Sequence, residues 1–189
     1  MLNQAIETPD QYLNGLNVTA YDKIVAAVRD EPRLAKFQFR ATNRWHGGGL
    51  NQTTIRNFHG GGEEQGVDSR HFTVDTGEPP VLLGDDEAPN PAEYLLHALT
   101  ACLTSAIVYK AAARGIKIES IESSIEGDMD AHNFLELSEA QRTGYQQIRA
   151  RFKVKADASL ETLKELAAFS PIYDTIVHGT PVSVEIELA

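Results

Sequence analysis

The stretch Asn90–Gly115, NPAEYLLHALTACLTSAIVYKAAARG, decides the fold. Asn90 is a good helix N-cap. Pro91 fits the first helical position, where a missing N–H costs nothing, and Glu93 stands where its carboxylate can reach back to the cap's amide. Gly115 supplies a natural stop, because only glycine enters the left-handed region without a Cβ clash. The spacing predicts a helix from Pro91 to about Arg114, roughly 35 Å long at 1.5 Å per residue. Tyr94 to Tyr109 is sixteen residues without a formal charge, and it includes His97, Thr100, Thr104 and Ser105. That falls short of the roughly 20 apolar residues of a membrane span, so a core helix is the reading. Its apolar residues run nearly all round, as in a helix buried on most sides. A modest sheet cannot supply that much cover, which points to a second subunit.

Downstream, Ile116 and Ile118 share one parity, and Ile121 and Ile125 share the other. The slip predicts a strand with a bulge over Ile116 to Glu126. Asp128 to Gly144 is polar and irregular, and reads as a loop or short helix. Tyr145 to Lys155 is a clean strand. Ile148, Ala150, Phe152 and Val154 face one way, and Arg149, Arg151, Lys153 and Lys155 the other. Ser159 caps a helix with Leu160, Leu163, Leu166 and Ala167 on its apolar face. Pro171 breaks it, Ser170 caps a further turn through Val177, and Gly179 ends that turn. Pro181 to Leu188 alternates Val182, Val184, Ile186 and Leu188 with Ser183, Glu185 and Glu187, and is predicted as a last strand.

Upstream, Phe37, Phe39 and Ala41 alternate with polar residues as a first strand. Gly47-Gly48-Gly49 is a turn, Thr53 to Phe58 returns as a second strand, Gly60-Gly61-Gly62 turns again, and Phe72 and Val74 mark a third. Before them, Val18, Tyr21, Ile24, Val25 and Val28 have helical spacing, stopped by Pro32. This divides the chain into an N-terminal helical arm (1–35) and a main domain (36–189). Strands and helices do not alternate strictly, so the fold class is α+β with largely antiparallel sheets.

Composition narrows the function. The 189 residues hold 17 Lys plus Arg against 27 Asp plus Glu, a formal net charge of −10. That balance disfavours nucleic acid and anionic membrane surfaces as partners. At 42% hydrophobic and 23% charged residues the chain is globular rather than disordered. A single cysteine, Cys102, excludes an intramolecular disulfide and multi-cysteine zinc sites. Met1 to Thr8 shows no basic or apolar signal region, so a cytoplasmic location is expected.

Few candidates for chemistry survive their plainer readings. His46-Gly47-Gly48-Gly49 looks like a lipase oxyanion loop, but the matching Gly-x-Ser-x-Gly elbow is missing, so a turn is favoured. The His59–Glu64 stretch lacks a second histidine at ligand spacing and reads as a hairpin tip. Asp128, Asp130 and His132 lack the glycine and terminal glutamate of a calcium loop, and read as a solvated acidic loop. The stripe Arg149, Arg151, Lys153 and Lys155 reads as a solvent-facing sheet face paired with acidic neighbours such as Glu185 and Glu187. No phosphate-binding fingerprint occurs, and no cofactor or metal is called for. Cys102 lies about three turns from the helix cap with no cation beside it in sequence. A thiolate there needs an activating arginine from elsewhere.

Taken together, Asn90 to Leu96, then Ala101-Cys102-Leu103, then Phe169-Ser170-Pro171-Ile172 and Gly179-Thr180-Pro181-Val182, resemble the OsmC and organic-hydroperoxide-resistance family. The resemblance runs from Phe37 to Leu188. It implies an intertwined homodimer, with sheets wrapped around paired central helices. It also implies that a cysteine at the place of Cys102 attacks an organic hydroperoxide, helped by an Arg and a Glu. A second cysteine, just before the proline of the later helix, would then close a disulfide that a lipoyl or other dithiol reopens.

Three features depart from that pattern. The resolving position holds Ser170, and a hydroxyl cannot form the disulfide. The family's Glu follows Asn-Pro directly, where this chain has Ala92. Glu93 is one residue later, about 100° round the helix, and remains a lesser candidate. No arginine aligns securely, Arg70 being the nearest upstream. The expectation is a redox or stress-related protein that is at most a one-cysteine peroxidase using an external thiol reductant. The alternative is a non-catalytic homodimer that binds a small apolar ligand at the subunit interface.

Overall fold

The computed structural model describes residues 9–188, so the stretch read for a secretory signal lies outside them. The described chain forms two compact units, residues 9–12 with 17–95 and residues 13–16 with 96–188.

The first unit carries α1 (Val18–Asp30), capped by Asn17, whose side-chain oxygen accepts a hydrogen bond from the Ala20 amide at 2.9 Å. None of its residues is buried. An antiparallel sheet follows, in the order β3-β4-β7, from β3 (Ala41–Gly47), β4 (Leu50–Ile55) and β7 (Phe72–Thr76). Between β4 and β7 sits the hairpin of β5 (Phe58–Gly60) and β6 (Glu63–Gln65). Gly61 and Gly62, both at positive φ, make its two-residue turn.

The predicted first strand is displaced. Phe37 to Arg40 contributes only an isolated bridge between Gln38 and His59, and the ladder begins at Ala41. The Gly48-Gly49 turn sets this register, since β3 is exposed along nearly its whole length and has no apolar face to fix it. The second strand likewise ends at Ile55 rather than Phe58. No large apolar side chain of this unit is buried among the described residues. The exposed Phe37 and Phe39 and the half-buried Phe58 instead pack ring against ring, with centroids 5.1–6.4 Å apart.

The helix α2 (Pro91–Ala113) starts and stops where its sequence directs. Asn90 and Glu93 close a capping box: the Asn90 amide donates to the Glu93 carboxylate and the Glu93 amide to the Asn90 side chain, each at 2.9 Å. Gly115, at φ +71°, lets its own amide and that of Ile116 reach back to Ala112 and Ala111.

In the second unit, β8 (Ile118–Asp128) and β9 (Gln147–Ala156) form an antiparallel pair, with the predicted bulge between Ile118 and Ser120. Helices α3 (Leu160–Ala167) and α4 (Pro171–His178) follow, capped by Ser159 and Ser170. The core is Ile107 and Ala111 of α2 against Leu166 of α3, with Ile118, Ile121, Phe152 and Leu163 packed around them. By length and composition α2 could also cross a membrane, but its seat in this apolar core is that of a core helix.

Two expectations are corrected. Within the chain, α2 is not buried on most sides. Leu99, Leu103, Ile107 and Ala111 form one buried stripe at four-residue spacing, while Leu95 and Tyr109 are 40% and 48% exposed. Second, residues 181–188 form no strand. They carry the alternation, but no strand among the described residues pairs with them.

A hairpin that the sequence reading passed over also shapes the second unit. Asn14-Gly15, at φ +53° and +80°, turns β1 (Tyr12–Leu13) into β2 (Leu16–Asn17). The Asn14 amide group donates to the Ile116 carbonyl at 2.9 Å, and its oxygen accepts from the Ile118 amide at 2.8 Å. This clasp satisfies the backbone just where α2 gives way to β8. Asn14→Gly keeps the turn but loses the clasp, and is expected to cost about 1–2 kcal/mol in urea unfolding. An unchanged midpoint would show that water replaces the clasp at no cost.

Candidate functional site

Cys102 sits midway along α2, half-buried. Helical spacing places it with Leu95, Ala98, Ser105 and Tyr109, on the face turned away from the Leu103–Ile107–Ala111 stripe. The core that seats α2 therefore also decides that the thiol faces outward. Among the described residues its sulfur makes no hydrogen bond. Nearby, Thr100 Oγ1 lies 3.1 Å from Ser123 Oγ, and the Thr104 hydroxyl donates to the Thr100 carbonyl at 2.9 Å.

Ser170 is 1% exposed, and its Oγ accepts the Tyr173 amide at 3.2 Å. Its hydroxyl is thus committed to starting α4. The preceding residue, Phe169, meets the two cations at the end of α2. Lys110 Nζ lies 4.7 Å and the Arg114 guanidinium 5.9 Å from its ring centroid. Arg114 also pairs with Glu165 at 3.1 Å. Cys102 stands eight residues before Lys110, about 12 Å along the helix axis. No hydrogen bond joins Cys102 to Ser170 among the described residues. Sequence reading missed the contact of Lys110 and Arg114 with Phe169, because the ring lies more than fifty positions from either cation and shares no local pattern with them.

Glu93 is occupied by its capping box, and the place before it is Ala92. The Arg70 guanidinium lies over the Phe58 and Phe72 rings, at 5.0 and 5.3 Å.

The remaining candidates resolve into local structure. His46 precedes the β3–β4 turn, and His59 lies in β5 with its Nδ1 3.7 Å from Glu64. Asp130 accepts the His132 amide at 2.9 Å and meets its ring nitrogen at 2.5 Å. Arg149, Arg151 and Lys155 of the basic stripe on β9 are partnered from β8, not from Glu185 and Glu187. Arg149 holds Glu126 at 2.9 Å and Asp128 at 2.5 Å, Arg151 lies 3.7 Å from Glu126, and Lys155 pairs with Glu119 at 2.5 Å. The carboxyls of Glu126 and Asp128 are held below their usual range, chiefly by hydrogen bonds from Arg149, and Arg149 is raised in turn.

Comparison with known proteins identifies the class as that of OsmC-like α+β proteins. A family model described as OsmC-like protein matches residues 84–185, just over half of the chain. The protein belongs to the OsmC-like family. Solved structures share the fold. An OsmC-like protein from Mycoplasma pneumoniae is 17% identical at a TM-score of 0.54, covering 74% of this chain and 87% of that one. One of unknown function from Vibrio cholerae is 12% identical at 0.54, covering 73% and 92%. A Psychrobacter arcticus protein assigned to osmotic-stress induction and detoxification response is 16% identical at 0.53, covering 71% and 85%. No curated protein sequence matches the chain.

Ser170→Ala is expected to lower stability by about 1 kcal/mol through loss of the α4 cap, read by denaturant unfolding. A carboxyl whose folded pKa is depressed stabilises above its unfolded value, near 4, and that contribution is lost as pH falls through the folded value. In Arg149→Ala, carboxyl NMR titration should show Glu126 and Asp128 taking up protons at higher pH than in the parent. Unmoved titrations would contradict the assigned cause.

Proposed function

We propose that this protein is a redox and stress-related member of its family that works through Cys102 alone, as a one-cysteine reducer of organic hydroperoxides in the cytoplasm. The observation that carries this reading is the contrast between the two positions where the resemblance expects cysteines. The thiol is kept, half-buried on the outward face of α2. The other position is a serine, buried and tied to a helix cap. The Psychrobacter relative's assignment to stress and detoxification fits the same direction.

The Cys102 thiolate attacks the terminal peroxide oxygen. The S–O bond forms, the O–O bond breaks, and the alkoxide leaves and takes up a proton as the alcohol. The sulfenic acid that remains condenses with an external thiol, releasing water and leaving a mixed disulfide. A second external thiol frees Cys102 and carries the disulfide away. No step needs Ser170, so the cycle suits a chain that lacks a second cysteine.

A homodimer belongs to this reading. Leu95 and Tyr109 along α2, and separately Phe37 (56% exposed) and Phe39 (70% exposed) in the first unit, are apolar side chains that the chain does not cover itself. The same surface favours a second reading, a non-catalytic dimer that holds a small apolar ligand at the subunit interface.

Cumene hydroperoxide followed by dimedone tests the first reading. One adduct on Cys102 is expected, together with peroxide consumption that requires an external thiol and vanishes in Cys102→Ser. No adduct with peroxide unchanged would overturn it. A rise in Tm with cumyl alcohol, kept in Cys102→Ser and without peroxide consumption, would select the second reading.

A further inference from the structure

Asn14-Gly15 is the one place in the sequence where asparagine precedes glycine. That pair carries a chemistry of its own. The backbone nitrogen of the following residue can attack the asparagine side-chain carbonyl carbon, and glycine, which has no Cβ, gives that nitrogen its clearest approach. Here the approach is also open to solvent. Gly15 is exposed, and apart from its chain neighbours nothing lies within 4 Å of the position a Cβ would take.

The clasp opposes the reaction. Asn14 Nδ2 donates to the Ile116 carbonyl at 2.9 Å, and Oδ1 accepts from the Ile118 amide at 2.8 Å. These two bonds hold Cγ against the junction of α2 and β8, and the turn, at φ +53° and +80°, fixes the backbone beside it. The Gly15 nitrogen reaches Cγ only when the clasp opens.

We propose that Asn14 is a site of spontaneous deamidation, kept latent by its clasp on Ile116 and Ile118, and that its loss of ammonia irreversibly releases the 13–16 turn from the α2–β8 junction. The Gly15 nitrogen gives up its proton to solvent and bonds to Asn14 Cγ. The side-chain nitrogen takes up a proton and leaves as ammonia. Water then opens the five-membered imide at one of its two carbonyls, leaving aspartate or isoaspartate at position 14. Water is the sole co-reactant, and nothing is oxidised or reduced.

Either product has lost the donor that faced the Ile116 carbonyl, and a carboxylate oxygen set against that carbonyl repels it. In isoaspartate the main chain also runs one methylene longer through the turn. The junction has little to put in the clasp's place, because the bulge between Ile118 and Ser120 interrupts the ladder to β9 at this point. Ile116 and Ile118 both pack against the core of Ile107, Ala111 and Leu166. The release therefore acts on the contact that seats α2, and it needs no chemistry at Cys102.

The full-length chain, kept folded in mildly alkaline buffer and sampled over time, tests this. Peptide mapping should find Asn14 deamidated ahead of every other asparagine, as both aspartate and isoaspartate. Two hydrogen bonds of ordinary strength hold the open state down by about tenfold or more, so the rate should rise by at least that factor once urea unfolds the chain. Below the unfolding transition, urea should raise deamidation and amide exchange at Ile118 in the same proportion, since one opening frees both. The deamidated form, separated by its extra negative charge, should exchange faster than the parent over residues 116–118. Asn14 left intact in the folded chain while the unfolded chain deamidates would overturn the site. A folded rate equal to the unfolded one, or exchange at Ile118 that rises without deamidation, would overturn the latency. Unchanged exchange in the deamidated form would overturn the release.

Discussion

The packing of Ile107 and Ala111 against Leu166 is the contact on which the second unit depends. Leu166 and Ala111 have no measurable exposure, so they admit no change of volume without a cavity or a clash. The strands enter the same core through Ile121 and Phe152, and the amphipathic face of α3 enters through Leu163. Because a helix can commit only one stripe to a contact of this kind, the opposite stripe is fixed as well. The place of Cys102 is thus a consequence of core packing rather than of any interaction made by the sulfur. The polar contacts at the end of α2, from Arg114 to Glu165 and from both cations to Phe169, hold α3 and its exit at one height along the helix.

The first unit is organised by different forces. Its sheet is held by backbone ladders and by polar cross-strand pairs such as Gln52 with Asp75 and Asn43 with Thr53. Its aromatic residues stack without being buried, and Arg70 lies across two of them. A unit so short of apolar burial gains little from the hydrophobic effect by itself. That shortfall is the physical ground of the proposed homodimer.

Sequence legibility followed the range of the interactions. Caps were readable because the partners lie within three residues: Asn90 with Glu93, Ser159 with Thr162, Ser170 with Tyr173. The β8 bulge was readable because a slipped parity of isoleucines records it directly. The start of β3 was not, because that strand buries no face, and the alternation of Phe37 and Phe39 belongs to an exposed aromatic cluster. The Asn14 clasp escaped because its turn is flanked by strands of only two residues, while its partners lie about a hundred positions away. The segment 181–188 has the right pattern, but a pattern states only which faces a strand would have, not what it pairs with. For the site, the sequence located Cys102 and Ser170 on their helices. It did not foresee that Ser170 would be closed to 1% exposure while Cys102 remains open on one side.

That closure of Ser170 bears on the proposed one-cysteine cycle. A cysteine at a helix N-cap that joined a disulfide would give up its bond to the first turn, so α4 would loosen and re-form with every oxidation and reduction. Here Oγ accepts the Tyr173 amide, and a serine cannot trade that bond for a disulfide. In that proposed cycle the oxidised thiol draws no disulfide partner from α4, so the helix has no cap to give up.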